Sequence, residues 1–229
     1  MATPAVDSLH LKPLNVGRVL HDAAVFNFSR HRNRESFVNA ANIPAEVEAF
    51  FDLLEQRTVD FLLVGGLAML AHIRGRNTDD IDLVISTPDQ QRLEPEVAII
   101  ERESFFAQAQ FRGLRIDFRA AENPLFDFVA RNYSEARQFD FFSRPRVIRC
   151  ATAPGLLLLK LYALPSLYRQ GEISRAKIFE SDIGVLLGAV PETDPNKLLE
   201  ILGRHGVADS DVRELRNVIA EQRPRRRFS

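Results

Sequence analysis

The chain has 229 residues and a mass of 26.0 kDa, and 45% of its residues are hydrophobic, enough for one sizeable domain or two small ones. Thirty basic residues against thirty-one acidic give a net charge of −1, which excludes a globally basic nucleic-acid coat and a highly charged disordered tail protein but leaves room for local basic patches. The single cysteine, Cys150, rules out a disulfide framework or a cysteine-rich zinc site within one chain. No apolar run approaches the roughly 20 residues that span a bilayer, and the N-terminus has no continuous apolar stretch of the secretory kind. The expectation is a cytoplasmic protein with no membrane partner. Only four basic residues are lysine. Arginine richness fits both phosphate recognition and a biased genome, so no function is drawn from it.

Residues 1–43 show no sustained period and carry the basic cluster FSRHRNRES, so they read as an irregular extension. From Pro44, Val47, Phe50, Phe51 and Leu54 recur at helical spacing behind a first-turn proline. Phe61 to Gly66 is a short apolar run closed by two glycines, a buried strand that turns sharply into a short helix, LAMLAHI. Ile81 to Ser86 reads as a second strand, and Thr87, Pro88 and Gln90 then supply N-cap, N1 and N3 of a helix. Alternation of Leu114, Ile116 and Phe118 with polar residues predicts a third strand over 114–120, and 146–150 a fourth. Beyond Ala153 the pattern changes to four helical segments, and 223–229 is an arginine-rich tail. The expected architecture is α/β (α+β): a small mixed sheet flanked by helices over 44–150, then a helical domain over 151–222.

Chemistry concentrates in FLLVGGLAMLAHIRGRNTDDIDLVIS. Gly65 and Gly66 lie between strand and helix, where bare backbone can approach a phosphate. Asp80 and Asp82 flank Ile81 in a strand, so both carboxylates face one side about 6.5 to 7 Å apart along the chain. Asp117 repeats the apolar-Asp-apolar pattern, and if its strand pairs beside the first, three carboxylates converge. Two carboxylates about 4 Å apart repel by roughly 4 kcal/mol at an effective dielectric of about 20, so three together need a cation. All-oxygen ligation favours Mg2+ or Mn2+ over zinc, and a pair of such ions suits in-line phosphoryl displacement. A glycine turn beside this cluster predicts nucleotide transfer from an NTP, with pyrophosphate leaving. Asp79 alternates to the other side and reads as a solvated neighbour. His72 either faces the site or packs beneath it, and Cys150 reads as a small core residue.

Val64-Gly65-Gly66, the interval to Asp80-Ile81-Asp82, and Ile116-Asp117-Phe118 resemble the signature of the DNA polymerase β-like nucleotidyltransferase superfamily. With Arg76 and Thr78 before the paired aspartates, the run resembles more narrowly the bacterial group of abortive-infection type IV toxins (AbiEii-like) and minimal nucleotidyltransferases. Lys160, Arg169 and Asp182 resemble the helical motif of those toxins, and the likeness spans about residues 61 to 187. The motif's Lys-Asp pair is displaced: Lys177 stands five residues before Asp182 and is followed by Ile178, which leaves a nucleotide contact by Lys177 open.

The resemblance implies that Asp80, Asp82 and Asp117 bind the metal and carry catalysis. It also implies that Gly65, Gly66, Lys160 and Asp182 contact the nucleotide, and that Arg76 and Thr78 contact phosphate or hold the aspartate loop. It further implies a toxin of a type IV toxin-antitoxin system acting on tRNA, with a cognate antitoxin as partner. A small-molecule nucleotidyltransferase of the antibiotic-modifying kind, or a non-catalytic partner-binding member of the fold, stays open beside it; the intact acidic triad counts against the last. Arg30, Arg32 and Arg34 near one end, and Arg223, Arg225, Arg226 and Arg227 at the other, read as RNA-backbone contacts or as solvated ends.

Overall fold

The computed structural model describes residues 14–28, 42–73, 78–141 and 143–222. Arg76, the arginines at 30 to 34 and the tail from 223 lie outside these ranges. Among the described residues, eight strands form one mixed sheet: β1 (Leu14–Asn15), β2 (Phe61–Val64), β3 (Asp80–Ile85), β4 (Ala98–Arg102), β5 (Phe106–Phe111), β6 (Leu114–Ala120), β7 (Ser134–Asp140) and β8 (Arg146–Ala151). Their order across the sheet is β1-β7-β8-β2-β3-β6-β5-β4. Among the same described residues, nine helices accompany them: α1 (Val16–Phe28), α2 (Ile43–Gln56), α3 (Gly65–Leu70), α4 (Thr87–Leu93), α5 (Pro124–Asn132), α6 (Ala153–Arg169), α7 (Ile173–Ala189), α8 (Pro195–Arg204) and α9 (Asp209–Gln222). The mixed α/β architecture expected from the sequence is present, with a larger sheet than the four strands predicted.

The centre of the sheet follows from its sequence. β2 is apolar on both faces and β3 on the face of Ile81, Leu83 and Ile85, so both are covered by the core, and they run antiparallel with Val64 opposite Asp82. β6 lies parallel to β3 in a register that sets Asp82 beside Asp117 and Asp80 beside Arg115. α2 forms where the periodicity predicts, burying Val47, Phe50, Phe51 and Leu54.

Two local expectations need correction. Helix α1 occupies part of the stretch read as irregular. The cap of α4 is Ser86 rather than Thr87: the Ser86 hydroxyl accepts from the Asp89 backbone N–H and donates to the Asp89 carboxylate at 2.8 Å, so the helix starts one residue early and places Asp89, not Gln90, at N3. Ser86 has the extended backbone that an N-cap requires.

α6 joins the sheet to the helices that follow. It packs against α7 along its length and also touches α3, α5, β8, α8 and α9. Buried apolar residues form one continuous cluster from Val16 to Ile219, so no break in the core separates the sheet from the helical part. No helix among the described residues is long and apolar enough to cross a membrane.

Candidate active site

The end of β2, the start of β3 and the middle of β6 meet at one point. Strand alternation and parallel register bring Asp80, Asp82 and Asp117 together, with one carboxylate oxygen from each within 4.8 Å of the other two. Asp82 and Asp117 are buried and Asp80 is partly exposed. Burial, then repulsion from Asp82, pushes the Asp80 carboxyl up to about 6, against a hydrogen bond donated by Thr78 Oγ1 to Asp80 Oδ1 at 2.8 Å. Asp117 is pushed up by burial and then by Asp82, with its Arg115 hydrogen bond working against the shift. The cluster therefore bears more negative charge than its surroundings favour, which is the condition for cation binding.

Gly65 owes its identity to this cluster. It has φ +64°, and a Cβ there would fall 1.7 Å from Asp82 Oδ2, so a side chain is excluded both by backbone conformation and by the carboxylate. Thr78 is buried, and its hydroxyl holds Asp80 rather than pointing away from it, which favours the loop-holding alternative of its two sequence readings.

A cavity of about 380 Å³ opens beside the triad. Gly65, Gly66, Thr78, Asp79, Asp80 and Asp82 form its sheet wall, and Leu156, Lys160, Tyr162, Arg175 and Phe179 are on its helical wall. Asp79 is exposed, as its alternation predicts, yet it contributes to the rim. Lys160 reaches the cavity while its ammonium sits 2.8 Å from Asp182 Oδ2 and 3.7 Å from the centre of the Phe179 ring. Asp182 is buried behind that pair and does not line the cavity. Lys177 and Arg169 lie elsewhere, paired with Glu180 at 2.7 Å and Asp211 at 2.9 Å. His72 packs away from the cavity: its Nε2 donates to the Ala151 carbonyl at 2.9 Å, and burial lowers its pKa. Cys150, beside it, has its thiol pushed up to about 12 by burial, in keeping with a core residue.

Two residues absent from the sequence reading stand at the centre. Arg115 donates from Nε and Nη2 to the two carboxylate oxygens of Asp117 at 3.1 Å each, and Arg119 donates from Nη2 to Asp82 Oδ1 at 2.6 Å. Both line the cavity, whereas Asp117 does not. The signal was available, because Arg115, Asp117 and Arg119 follow the same two-residue period and must share a face of β6. Arg175 on the helical wall had no comparable signal.

No protein-family model matches the chain, and no curated protein is significantly similar to it in sequence. The fold is similar to solved nucleotidyltransferases. The antibiotic-resistance factor ANT(2'')-Ia in solution shares 16% identity, with 80% of this chain and 93% of that one covered at a TM-score of 0.44. The crystal structure of ANT(2'')-Ia with adenylyl-2''-tobramycin shares 15%, over 76% and 97% at 0.47. An antigenic nucleotidyltransferase-like protein from Paracoccidioides brasiliensis shares 14%, over 79% and 88% at 0.47.

Proposed function

We propose that this protein is a divalent-metal-dependent nucleotidyltransferase that moves a nucleotide from an NTP to an acceptor hydroxyl and releases pyrophosphate. The observation that carries the reading is the convergence of Asp80, Asp82 and Asp117 oxygens within 4.8 Å of one another, with Asp80 and Asp82 at the wall of a ligand-sized cavity. The donor set fits Mg2+ or Mn2+: it is all carboxylate oxygen, partly desolvated, and short of positive charge. Such an ion, held by Asp80, Asp82 and Asp117, supplies positive charge to the α-phosphate and the leaving pyrophosphate.

The chain's own groups do the rest. Thr78 fixes Asp80 in place, and Gly65 keeps the space against Asp82 free of side chain. Gly65 and Gly66 present bare backbone to the triphosphate. Arg175 brings positive charge from the opposite wall, where Lys160 is held by Asp182. Asp117 orients the acceptor hydroxyl or takes its proton. The acceptor oxygen bonds to the α-phosphorus, the bond between the α-phosphorus and its bridging oxygen to the β-phosphorus breaks, and pyrophosphate carries away the electron pair.

The cavity has the volume of one small ligand, which on this reading is the NTP. The acceptor then approaches from the mouth, an arrangement open to a macromolecule. With the toxin-like sequence motif, this supports tRNA as acceptor and a cognate antitoxin as partner, in a type IV toxin-antitoxin system. The test is incubation with each α-labelled NTP, Mg2+ and either total RNA or a panel of hydroxylated small molecules. Label in tRNA that disappears in Asp80→Ala is the expected result. Label only in small molecules moves the acceptor to the antibiotic-modifying class. No transfer to any acceptor, RNA and protein included, overturns the enzymatic reading in favour of a partner-binding module.

A further inference from the structure

The two buried carboxylates of the triad are already engaged by cations of the chain itself. Arg119 holds Asp82 at 2.6 Å, and Arg115 grips both oxygens of Asp117. Register explains the arrangement: Arg115 stands beside Asp80, Asp117 beside Asp82 and Arg119 beside Val84. The side chains of Asp117 and Asp82 are only 1% and 8% exposed, whereas those of Arg115 and Arg119 are 41% and 22% exposed and border the cavity. The carboxylates are thus walled in, and the guanidinium groups have open space beside them.

We propose that Arg115 and Arg119 are exchangeable counter-ions, which hold Asp117 and Asp82 while no divalent cation is bound, yield them when one arrives, and turn to the phosphates of the incoming nucleotide. The proposal rests on the nucleotidyltransferase reading above. A monovalent guanidinium relieves repulsion among three crowded carboxylates, but a divalent cation relieves it further from a closer approach. The displaced group is suited to a second partner, because the fork that fits a carboxylate also fits a phosphate. Displacement also opens Asp117, which otherwise has no path to an acceptor past Arg115. Arg115 and Arg119 are positioning residues for the triad before the nucleotide binds and phosphate contacts afterwards.

This exchange predicts effects of opposite sign from one substitution. In the full chain, Arg119→Gln removes a competitor for Asp82 and one positive charge, so Mn2+ read by electron paramagnetic resonance without nucleotide binds about tenfold more tightly. The same variant binds the Mn2+ complex of α,β-methylene ATP about tenfold more weakly, because a phosphate contact is gone. Arg115→Gln follows the same pattern through Asp117, and Arg119→Lys, which keeps the charge without the fork, lies between wild type and Arg119→Gln in both measurements. Unchanged or weaker Mn2+ binding in both glutamine variants, with Asp82→Asn still abolishing it, overturns the exchange and leaves the enzymatic reading standing. Tighter Mn2+ with undiminished analogue binding overturns the phosphate half. Mn2+ binding indifferent to Asp82→Asn overturns the enzymatic reading and the exchange with it.

Discussion

The sheet wall and the helical wall of the cavity each bury opposite charges, in different proportions. On the sheet, three carboxylates converge with two guanidinium groups at their edge, and the carboxyls of Asp80 and Asp117 are both driven up by burial and by Asp82. On the helices, Lys160 meets Asp182 at 2.8 Å with the Phe179 ring against the ammonium. The helical pair sets one cation against one anion, whereas the sheet sets three carboxylates against two guanidinium groups that border the cavity. A balanced buried pair acts as a strut whose loss costs stability, whereas an unbalanced cluster stores repulsion that a ligand can release.

The largest effect should come from the cluster. Asp82→Ala is expected to lower nucleotide transfer at least about a thousandfold, roughly 4 kcal/mol of barrier, while the metal-free protein melts no lower than wild type. A variant retaining a tenth of the activity would break the assignment. For the strut, Lys160→Met should cost about 3 to 5 kcal/mol in urea unfolding by breaking the buried ion pair with Asp182, and the double variant Lys160→Met/Asp182→Leu should recover most of it. Transfer lost in a double variant of restored stability would move Lys160 from strut to nucleotide contact, and the two walls would then be less different than their charge balance suggests.

Glycines sharpen the contrast further. Gly65 and Gly171 share a left-handed backbone, with φ +64° and +74°, but a Cβ at Gly65 collides with Asp82 and one at Gly171 meets nothing within 4 Å. Gly171→Ala should cost about 1 kcal/mol, from backbone strain alone. Gly65→Ala should cost about 2 to 3 kcal/mol and at least tenfold in transfer, because Asp82 must move. Equal losses of stability and activity in the two variants would show that the Asp82 contact adds nothing to the strain.

A further effect concerns protons. Asp80 has its carboxyl at about 6 in the folded chain, against about 3.9 unfolded, so the folded state binds the extra proton between these values. Its contribution is present below about pH 4 and lost as pH rises through about 6. In EDTA, wild type should therefore lose on the order of 2 kcal/mol relative to Asp80→Asn across that window. Saturating Mg2+ should reverse the trend, since the ion binds the ionised form. A difference that stays flat in EDTA would mean that the cluster is not crowded enough to matter.

Much of the site was legible because its residues sit in strongly patterned strands. Asp80, Asp82 and Asp117 alternate with buried apolar neighbours, and Gly65 marks a turn that no other residue suits. Arg115 and Arg119 share the same alternation, but the sequence reading did not single them out. The edge of the sheet was less legible: β4 is almost wholly exposed, the buried face of β5 alternates as Ala107, Ala109 and Phe111 with only one large side chain, and β7 is polar along most of its length, so none carries a strong hydrophobic period. Helix α5 was missed although Asn123 caps it, its side chain accepting from the backbone N–H groups of Leu125 and Phe126. Lys160 and Asp182 were visible as residues, but their pairing, twenty-two positions apart on two helices, depended on tertiary packing that local spacing does not encode.

Parallel strands cannot be joined by a tight turn, and β3 and β6 are parallel. After Asp82 the chain passes through α4, runs to the outer edge as β4 and returns through β5 before β6 docks, so Asp117 joins its partner across thirty-five residues of sequence. Such a contact forms late, after the intervening loop entropy has been lost, and a slip of one residue in the register would turn Asp117 to the opposite face. A chain emerging from synthesis carries the first two carboxylates long before the third can reach them. The carboxylate triad is therefore complete only once the centre of the sheet has closed, so a chain that stops short of β6 holds two of its three acidic groups and no more.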